Sequence, residues 1–308
     1  MTTTPRVSVI ITTHNRAALL VEAVNSVLAQ TYQDFELIVA DDGSSDDTAA
    51  RIAALAGSIR YLKLPHSGKP EVARNRAIAQ AHGSFFAFLD DDDLWHEEKL
   101  ARQMEVLEAE QAVGYSYCDC CFLEADGLPS GQTPTPLQTG PPLLLPEQKQ
   151  SNAVFENLLQ GCFVHPSTVV MRRSIFEAVG PFDATFVCQG DYLLWLQAAR
   201  VAPVACVPEP LVTLRRSPAG LSEQRRLLNL ENAILVLEAL RRREALTWKQ
   251  RLLSRRTLAR WHVTLGLRRD SARAARSDLL RSLGLNPLQR TAWKALVAGS
   301  TRARRDKP

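Results

Sequence analysis

The sequence predicts an α/β fold: a doubly wound, mostly parallel sheet with a C-terminal all-helical extension. Three observations carry this. Short apolar runs alternate with helical patterns as far as Leu89, polar and acidic clusters sit where those runs end, and residues 222–308 show only helical spacing.

The elements follow in order. Val7-Ser-Val-Ile-Ile11 is a β-branched run, as expected of a strand buried on both faces. Ala17 to Gln30 places Leu20, Val24, Val27 and Leu28 on one helical face. Phe35 to Ala40 is a second strand, ending at Asp41-Asp42-Gly43-Ser44. Asp47-Thr48 opens a second helix, and Ile59 to Leu62 is a third strand. Val72 to Ala81 is helical until Gly83 breaks it, and Phe85 to Leu89 is an apolar strand running into Asp90-Asp91-Asp92-Asp93. After Phe122 the texture changes, and six prolines between Pro129 and Pro146 read as a long irregular connection. Patterning resumes at Asn152, and a helix beginning near Asp191 carries Leu194, Trp195 and Leu196. In the tail, Leu230, Ile234 and Leu237 share one face. Leu258, Trp261 and Leu265 share another, and Ala275, Leu279 and Leu283 a third.

At 308 residues and 45% apolar content the chain can bury a sizeable core. No run approaches the roughly 20 apolar residues of a membrane span. The N-terminus also lacks the basic end, long apolar segment and small-residue cleavage site of a signal peptide. The chain therefore reads as cytoplasmic. Its six cysteines show no Cys-x-x-Cys pair, so reduced thiols in or near the core are expected rather than a zinc site.

Four clusters lie where a doubly wound sheet binds ligands, beyond the carboxyl ends of its strands. They are Thr12-Thr13-His14-Asn15-Arg16, Asp41-Asp42-Gly43-Ser44, Asp90 to Asp93, and Gly190-Asp191. Each has a purely structural alternative. Asp42-Gly43-Ser44 suits a turn. Asp93 suits the N-cap of a helix containing Leu94, Trp95, His96 and Glu97, and Asp191 suits a cap as well. Four adjacent carboxylates repel one another, however, and a cap needs only one. A hard divalent cation with oxygen ligands would relieve the repulsion.

Taken in order, the motifs resemble those of the inverting family 2 glycosyltransferases of GT-A fold, over roughly residues 6–217. The resemblance runs through Val7 to Arg16, Ser26 to Thr31, Phe35 to Val39 and Asp41 to Thr48. It continues through Ala73-Arg-Asn75, Gly83, Phe88 to Trp95, Gly180-Pro-Phe-Asp183 and Gly190 to Trp195. It implies a nucleotide-sugar-binding half over 1–125 and an acceptor and catalytic half over 151–221; composition and periodicity set a Pro-rich loop over 126–150 between them and a basic helical appendage over 222–308 after them. It also implies roles. Thr12 and His14 would line the nucleobase pocket, and Asp42 would accept a base N–H, which suits uracil and so favours a UDP-sugar, although guanine and thymine also offer such a donor. Asp90 and Asp91 would lie at the ribose and diphosphate end, with Arg74 as an auxiliary contact to phosphate or to an acidic neighbour. Asp92 would be the direct ligand of Mg²⁺ or Mn²⁺. Asp191 would be the general base that activates a hydroxyl acceptor, in polysaccharide or glycolipid assembly.

Two positions depart from the family pattern. Gly190 stands where members often carry an acid, and Leu214-Arg-Arg-Ser217 replaces a Tyr-Arg-x-His segment. His165 falls where the family builds its acceptor side. Rival readings are a nucleotide-sugar-binding protein without catalysis and a nucleotidyltransferase. The latter usually opens with a glycine-rich loop, and Thr12 to Arg16 contains no glycine.

The net charge of +4 hides a split. Residues 1–221 hold 16 Lys+Arg and 26 Asp+Glu, a balance of −10, and residues 222–308 hold 21 and 7, a balance of +14. Such a tail favours an anionic partner. Nucleic acid matches the charge but not the domain before it. The inner face of a membrane carrying a lipid-linked saccharide acceptor matches both, through peripheral association.

Overall fold

A computed structural model of the chain describes residues 4–123, 151–186, 188–215 and 226–305. The expected Pro-rich loop lies outside the described residues. Strands β1 (Val7–Thr13), β2 (Phe35–Asp41), β3 (Ile59–Lys63) and β4 (Phe85–Asp90) pair in parallel in the order β3-β2-β1-β4. Helix α1 (Ala17–Leu28) joins β1 to β2, and α2 (Thr48–Ala53) joins β2 to β3. Helix α3 (Pro70–Ile78) then carries the chain back across the sheet to β4, on the other flank of β1. The helix opens at Pro70 rather than Val72, because proline at its first position gives up no hydrogen bond.

The second half completes the sheet with β5 (Leu94–Trp95), β6 (Tyr115–Leu123), β7 (Val169–Arg172) and β8 (Val204–Arg215), giving the order β3-β2-β1-β4-β7-β6-β8-β5. β7 runs antiparallel to β4 and β6, β6 pairs with β8 in parallel, and β5 is antiparallel to β8. Helices α4 (Lys99–Ala109), α5 (Ser151–Leu158), α6 (Arg173–Val179) and α7 (Gly190–Val201) cover this half.

Both faces of the sheet are covered, which explains the unbroken apolar runs. Along β4, Phe85, Ala87 and Leu89 pack toward Leu20, Val24, Leu100 and Met104, while Phe86 and Phe88 pack toward Phe176, Phe182 and Trp195.

One local expectation is overturned. Leu94 to Glu97 do not form a helix capped by Asp93; Leu94–Trp95 pair with Val212 and Thr213, and the helix starts at Lys99. Tertiary partners decide this. The Trp95 indole N–H donates to the Ser167 carbonyl at 2.8 Å, and the Asp93 carboxylate accepts from Ser167 Oγ at 2.5 Å and the Arg215 N–H at 3.2 Å.

The tail forms α8 (Arg226–Arg243), α9 (Trp248–Arg268), α10 (Ala272–Leu285) and α11 (Arg290–Arg305). Val236, Leu237 and Leu240 of α8 and Leu258, Trp261 and Leu265 of α9 extend the main core, where Trp261 meets Tyr192 edge-on. Val263, Leu279, Leu283 and Ala292 form a smaller cluster beyond it. Among the described residues no helix is long and apolar enough to cross a membrane. The six cysteines are free thiols, and Cys118, Cys120 and Cys206 are buried.

Candidate active site

Register assembles the site. Thr13 lies beside Asp41 across β1 and β2, and Thr12 beside Asp90 across β1 and β4. The four parallel strands therefore end along one edge. The chain leaves β1 toward β2 on one side and reaches β4 on the other, so a crevice opens at the switch between them.

On the β2 side, Asn15 takes a left-handed conformation, φ 52°, and its Oδ1 accepts the Ser45 N–H at 2.8 Å, locking the two loops together. The Asp42 carboxylate accepts from Ser67 N–H, Ser67 Oγ and Gly68 N–H, each at 2.8 Å. Its Oδ1 takes two of these and Oδ2 one, and His66 Nδ1 also lies 3.2 Å from Oδ2. His14 and His66 both direct Nδ1–H at the Asp42 carbonyl, at 2.9 and 2.8 Å, and their rings stack with centroids 4.2 Å apart. Gly43 is required here: its φ is +75°, and a Cβ would stand 2.8 Å from the His66 nitrogen.

At the end of β4, the aspartates divide into distinct roles. Asp90 is ion-paired with Arg74, and its N–H donates to Ser167 Oγ at 3.1 Å. Asp91 is buried; it accepts from Thr13 Oγ1 at 2.7 Å and from Arg16 at 3.1 Å. Desolvation pushes its carboxyl up to about 6 against the pull of Arg16. Arg16 also holds Asp92 at 2.7 Å. Burial, then the charge of Asp90, raises the Asp92 carboxyl above the usual range. Asp93 points away into the core and is raised still further by desolvation and by its neighbours. Among the described residues no three Asp, Glu, His or Cys side chains converge into a metal cage. Asp92, although paired with Arg16, offers a hard oxygen donor beside Asp90 and Asp91 and could hold Mg²⁺ or Mn²⁺.

The second half brings Asp191 to this edge. Asn75 exchanges two hydrogen bonds with the backbone of Phe182, at 2.8 and 3.0 Å, so two of the sequence motifs form one contact. Gln189, at φ 69°, leads into α7. Asp191 is the second residue of the helix and its carboxylate accepts the Tyr192 N–H; Gln189, not Asp191, holds the N-cap position, so the capping alternative fails. Desolvation pushes its carboxyl up to about 6, against the opposing charge of Arg74. Arg74 is buried, which works against its charge, yet Asp90, Glu71 and Asp191 together hold its pKa up. Gly190 is explained by space: a Cβ there would stand 2.8 Å from Glu71 Cγ and 3.0 Å from the Asp183 carbonyl. His165 is half-buried near Asp90, and desolvation lowers its pKa, keeping the imidazole neutral. Ser217 lies outside the described residues.

Arg16, His66, Ser167 and Glu71 were not singled out as separate site residues by the sequence. Arg16 closes the loop motif after β1, and His66 follows the end of β3 as Asp42 follows β2, so both carried a positional signal. Ser167 and Glu71 carried none.

The model of Glycosyl transferase family 2 matches residues 8–180. The Escherichia coli UDP-Glc:alpha-D-GlcNAc-diphosphoundecaprenol beta-1,3-glucosyltransferase WfgD is 30% identical over 191 residues, covering 62% of this chain and 68% of that protein. The chain spans only 32% and 33% of two longer Rickettsia relatives. Among solved structures, S. aureus TarS 1-349 in complex with UDP-GlcNAc superposes with a TM-score of 0.69 at 18% identity, over 91% of this chain and 81% of that one. The Pyrobaculum calidifontis mannosyltransferase PcManGT, in complex with GDP-Man and Mn²⁺, gives 0.63 at 19% identity, over 98% and 81%.

Proposed function

The chain belongs to glycosyltransferase family 2 and has the GT-A fold, and on that premise we propose that it transfers a sugar from a UDP-sugar to the hydroxyl of a lipid-linked saccharide, with inversion at the anomeric carbon. The observation that carries this reading is Arg74, a buried cation shared by Asp90 of the donor end and Asp191 of the acceptor half. It puts a carboxylate able to take a proton beside the place where a diphosphate would leave.

In this reading the base lies near His14 and His66, Thr12 lines the pocket, and the ring N–H donates to the Asp42 carboxylate. Asp90 and Asp91 face the ribose and diphosphate. Asp92 would hold Mg²⁺ or Mn²⁺, which when bound offsets negative charge on the departing nucleotide. The acceptor oxygen attacks the anomeric carbon, the bond from that carbon to the diphosphate oxygen breaks on the opposite face, and the hydroxyl proton passes to Asp191. A carboxyl titrating near 6 is mostly ionised at neutral pH yet basic enough to share that proton in the transition state.

A uracil donor is compatible with the base N–H partner and is favoured by the UDP-sugars in the names of WfgD and the TarS complex. The lipid-linked acceptor follows WfgD, whose named acceptor is a diphosphoundecaprenol-linked sugar. The basic tail would then rest on the cytoplasmic face of the membrane.

A thermal-shift panel of nucleotide sugars, with and without Mn²⁺, tests the donor, because a ligand of the native state raises stability by RT ln(1 + [L]/Kd). A UDP-sugar should stand out and should be transferred to a diphospho-lipid saccharide. Donor binding with neither hydrolysis nor transfer would instead favour the binding-protein reading.

A further inference from the structure

Glu71 takes no part in the reaction as described, yet it stands beside the base. It is 2% exposed in the first turn of α3, and its Oε2 is buried with no hydrogen-bond partner. Burying a carboxylate oxygen unmet is costly, and a neutral side chain would avoid it. What surrounds Glu71 is the machinery itself. The Gly190 N–H, one residue before Asp191, is directed at its carboxylate, and Arg74 follows it by one turn of α3. Oε1 would stand 3.2 Å from a Cβ on Gly190, so Glu71 fills, from the opposite wall, the space a side chain at position 190 would occupy. Arg74 thus has three carboxylates about it: Asp90, Glu71 and Asp191.

We propose that Glu71 is a positioning residue for the base: its carboxylate anchors the first turn of α7 at Gly190 and, with Asp90, engages Arg74, so that Arg74 does not close on Asp191. This rests on the assignment of Asp191 as the base. Loss of the Glu71 charge leaves Arg74 free to claim the Asp191 carboxylate, and the base is weakened without any change in the donor site.

The test compares the full-length protein with its Glu71→Gln variant, which keeps shape and removes charge. The variant should lose roughly tenfold in kcat, a moderate part of what a positioned base contributes, with donor Kd within about twofold of the parent by the same reasoning. The acid limb of its kcat profile should move down by about one pH unit, because a like charge is gone and Arg74 is released. A Glu71→Ala, Gly190→Glu double variant returns the carboxylate from the other wall and should recover most of the rate. The Glu71→Ala, Gly190→Ala pair restores bulk alone and should not. Equal recovery by both pairs, or a Glu71→Gln profile that matches the parent, overturns the proposal. Titration of the Asp191 carboxyl by carbon-13 NMR, without donor, separates this from the reaction assignment. A parent that transfers no sugar defeats the glycosyltransferase reading, whereas an Asp191 titration unmoved by Glu71→Gln defeats the role of Glu71 whether or not sugar is transferred.

Discussion

Asp191 sits near a titration midpoint of about 6 because desolvation raises it further than Arg74 lowers it. Two consequences follow from the same group. Asp191→Asn keeps the shape and removes the basicity, so kcat should fall by roughly 10²-fold or more while donor affinity changes little. Turnover within a few-fold of the parent would place the base elsewhere. Stability should move the other way. With a folded pKa above the unfolded value, the carboxyl stabilises the fold below about pH 4, and that contribution is lost as pH rises through 6. At pH 7.5 the Asn variant should therefore be more stable by about 1–2 kcal/mol, roughly 2–6 °C in Tm, and at pH 4 it should match the parent. Calorimetry at the two pH values decides it. Asp92 answers a different question. Asp92→Asn should remove most cation-stimulated turnover and leave the circular dichroism spectrum unchanged, since it stands at a strand end beside Arg16. Parental activity in excess EDTA would overturn the metal assignment.

Strand ends and their loops deliver these side chains, and most were legible. Val7 to Ile11 and Phe85 to Leu89 read as doubly buried strands because both faces of the sheet are covered. Leu94–Trp95 were not legible, since a Leu-Trp pair after aspartate and before two glutamates satisfies the local rules for a helix start. The pairing with Val212 and Thr213, over a hundred residues away, outweighs that preference. The turn after β2 is where element and site meet. Gly43→Ala forces a side chain into φ +75° and against the His66 backbone, so the loop holding Ser67 and Gly68 on Asp42 should shift. Isothermal titration should show UDP bound at least several-fold more weakly, consistent with a strain of about 1 kcal/mol or more. An unchanged UDP affinity would mean that this loop does not shape the base pocket.

At the scale of the molecule, the chain is a sheet domain onto which a basic helical tail is docked. Lys249 pairs with Glu156 at 2.9 Å and Arg243 with Asp183 at 3.7 Å, both acids lying in the second half of the sheet domain. Among the described residues, Val201 is the single exposed large hydrophobic outside the tail; Leu235, Trp248, Leu252, Leu267, Leu280, Leu288, Trp293 and Val297 all lie within it. Exposed apolar side chains interspersed with arginine suit an anionic lipid interface better than a protein-free solvent face. The protein should co-sediment with vesicles containing anionic lipid and be released by salt, since each basic residue near such a surface contributes about 1 kcal/mol. Trp248→Ala with Trp293→Ala should weaken this binding without altering turnover of a water-soluble acceptor. Equal binding to neutral and anionic vesicles, or none to either, rules the surface out.

The sequence by itself determined the parallel half of the sheet, the helical tail, and the identity of the acids that end the strands. Strand burial and helical periodicity are local patterns, and paired carboxylates announce themselves where they adjoin. Only the tertiary structure decided which acids stay at the strand ends and which enter the core. Asp93 turns inward to Ser167 and Arg215, whereas Asp92 faces Arg16. Only the tertiary structure, too, brought Glu71, Arg74 and Asp191 together from opposite walls of the crevice. The physical reason is common to both: a carboxylate's role depends on its desolvation and on the charges beside it, and distant segments of chain supply these after the sheet has formed.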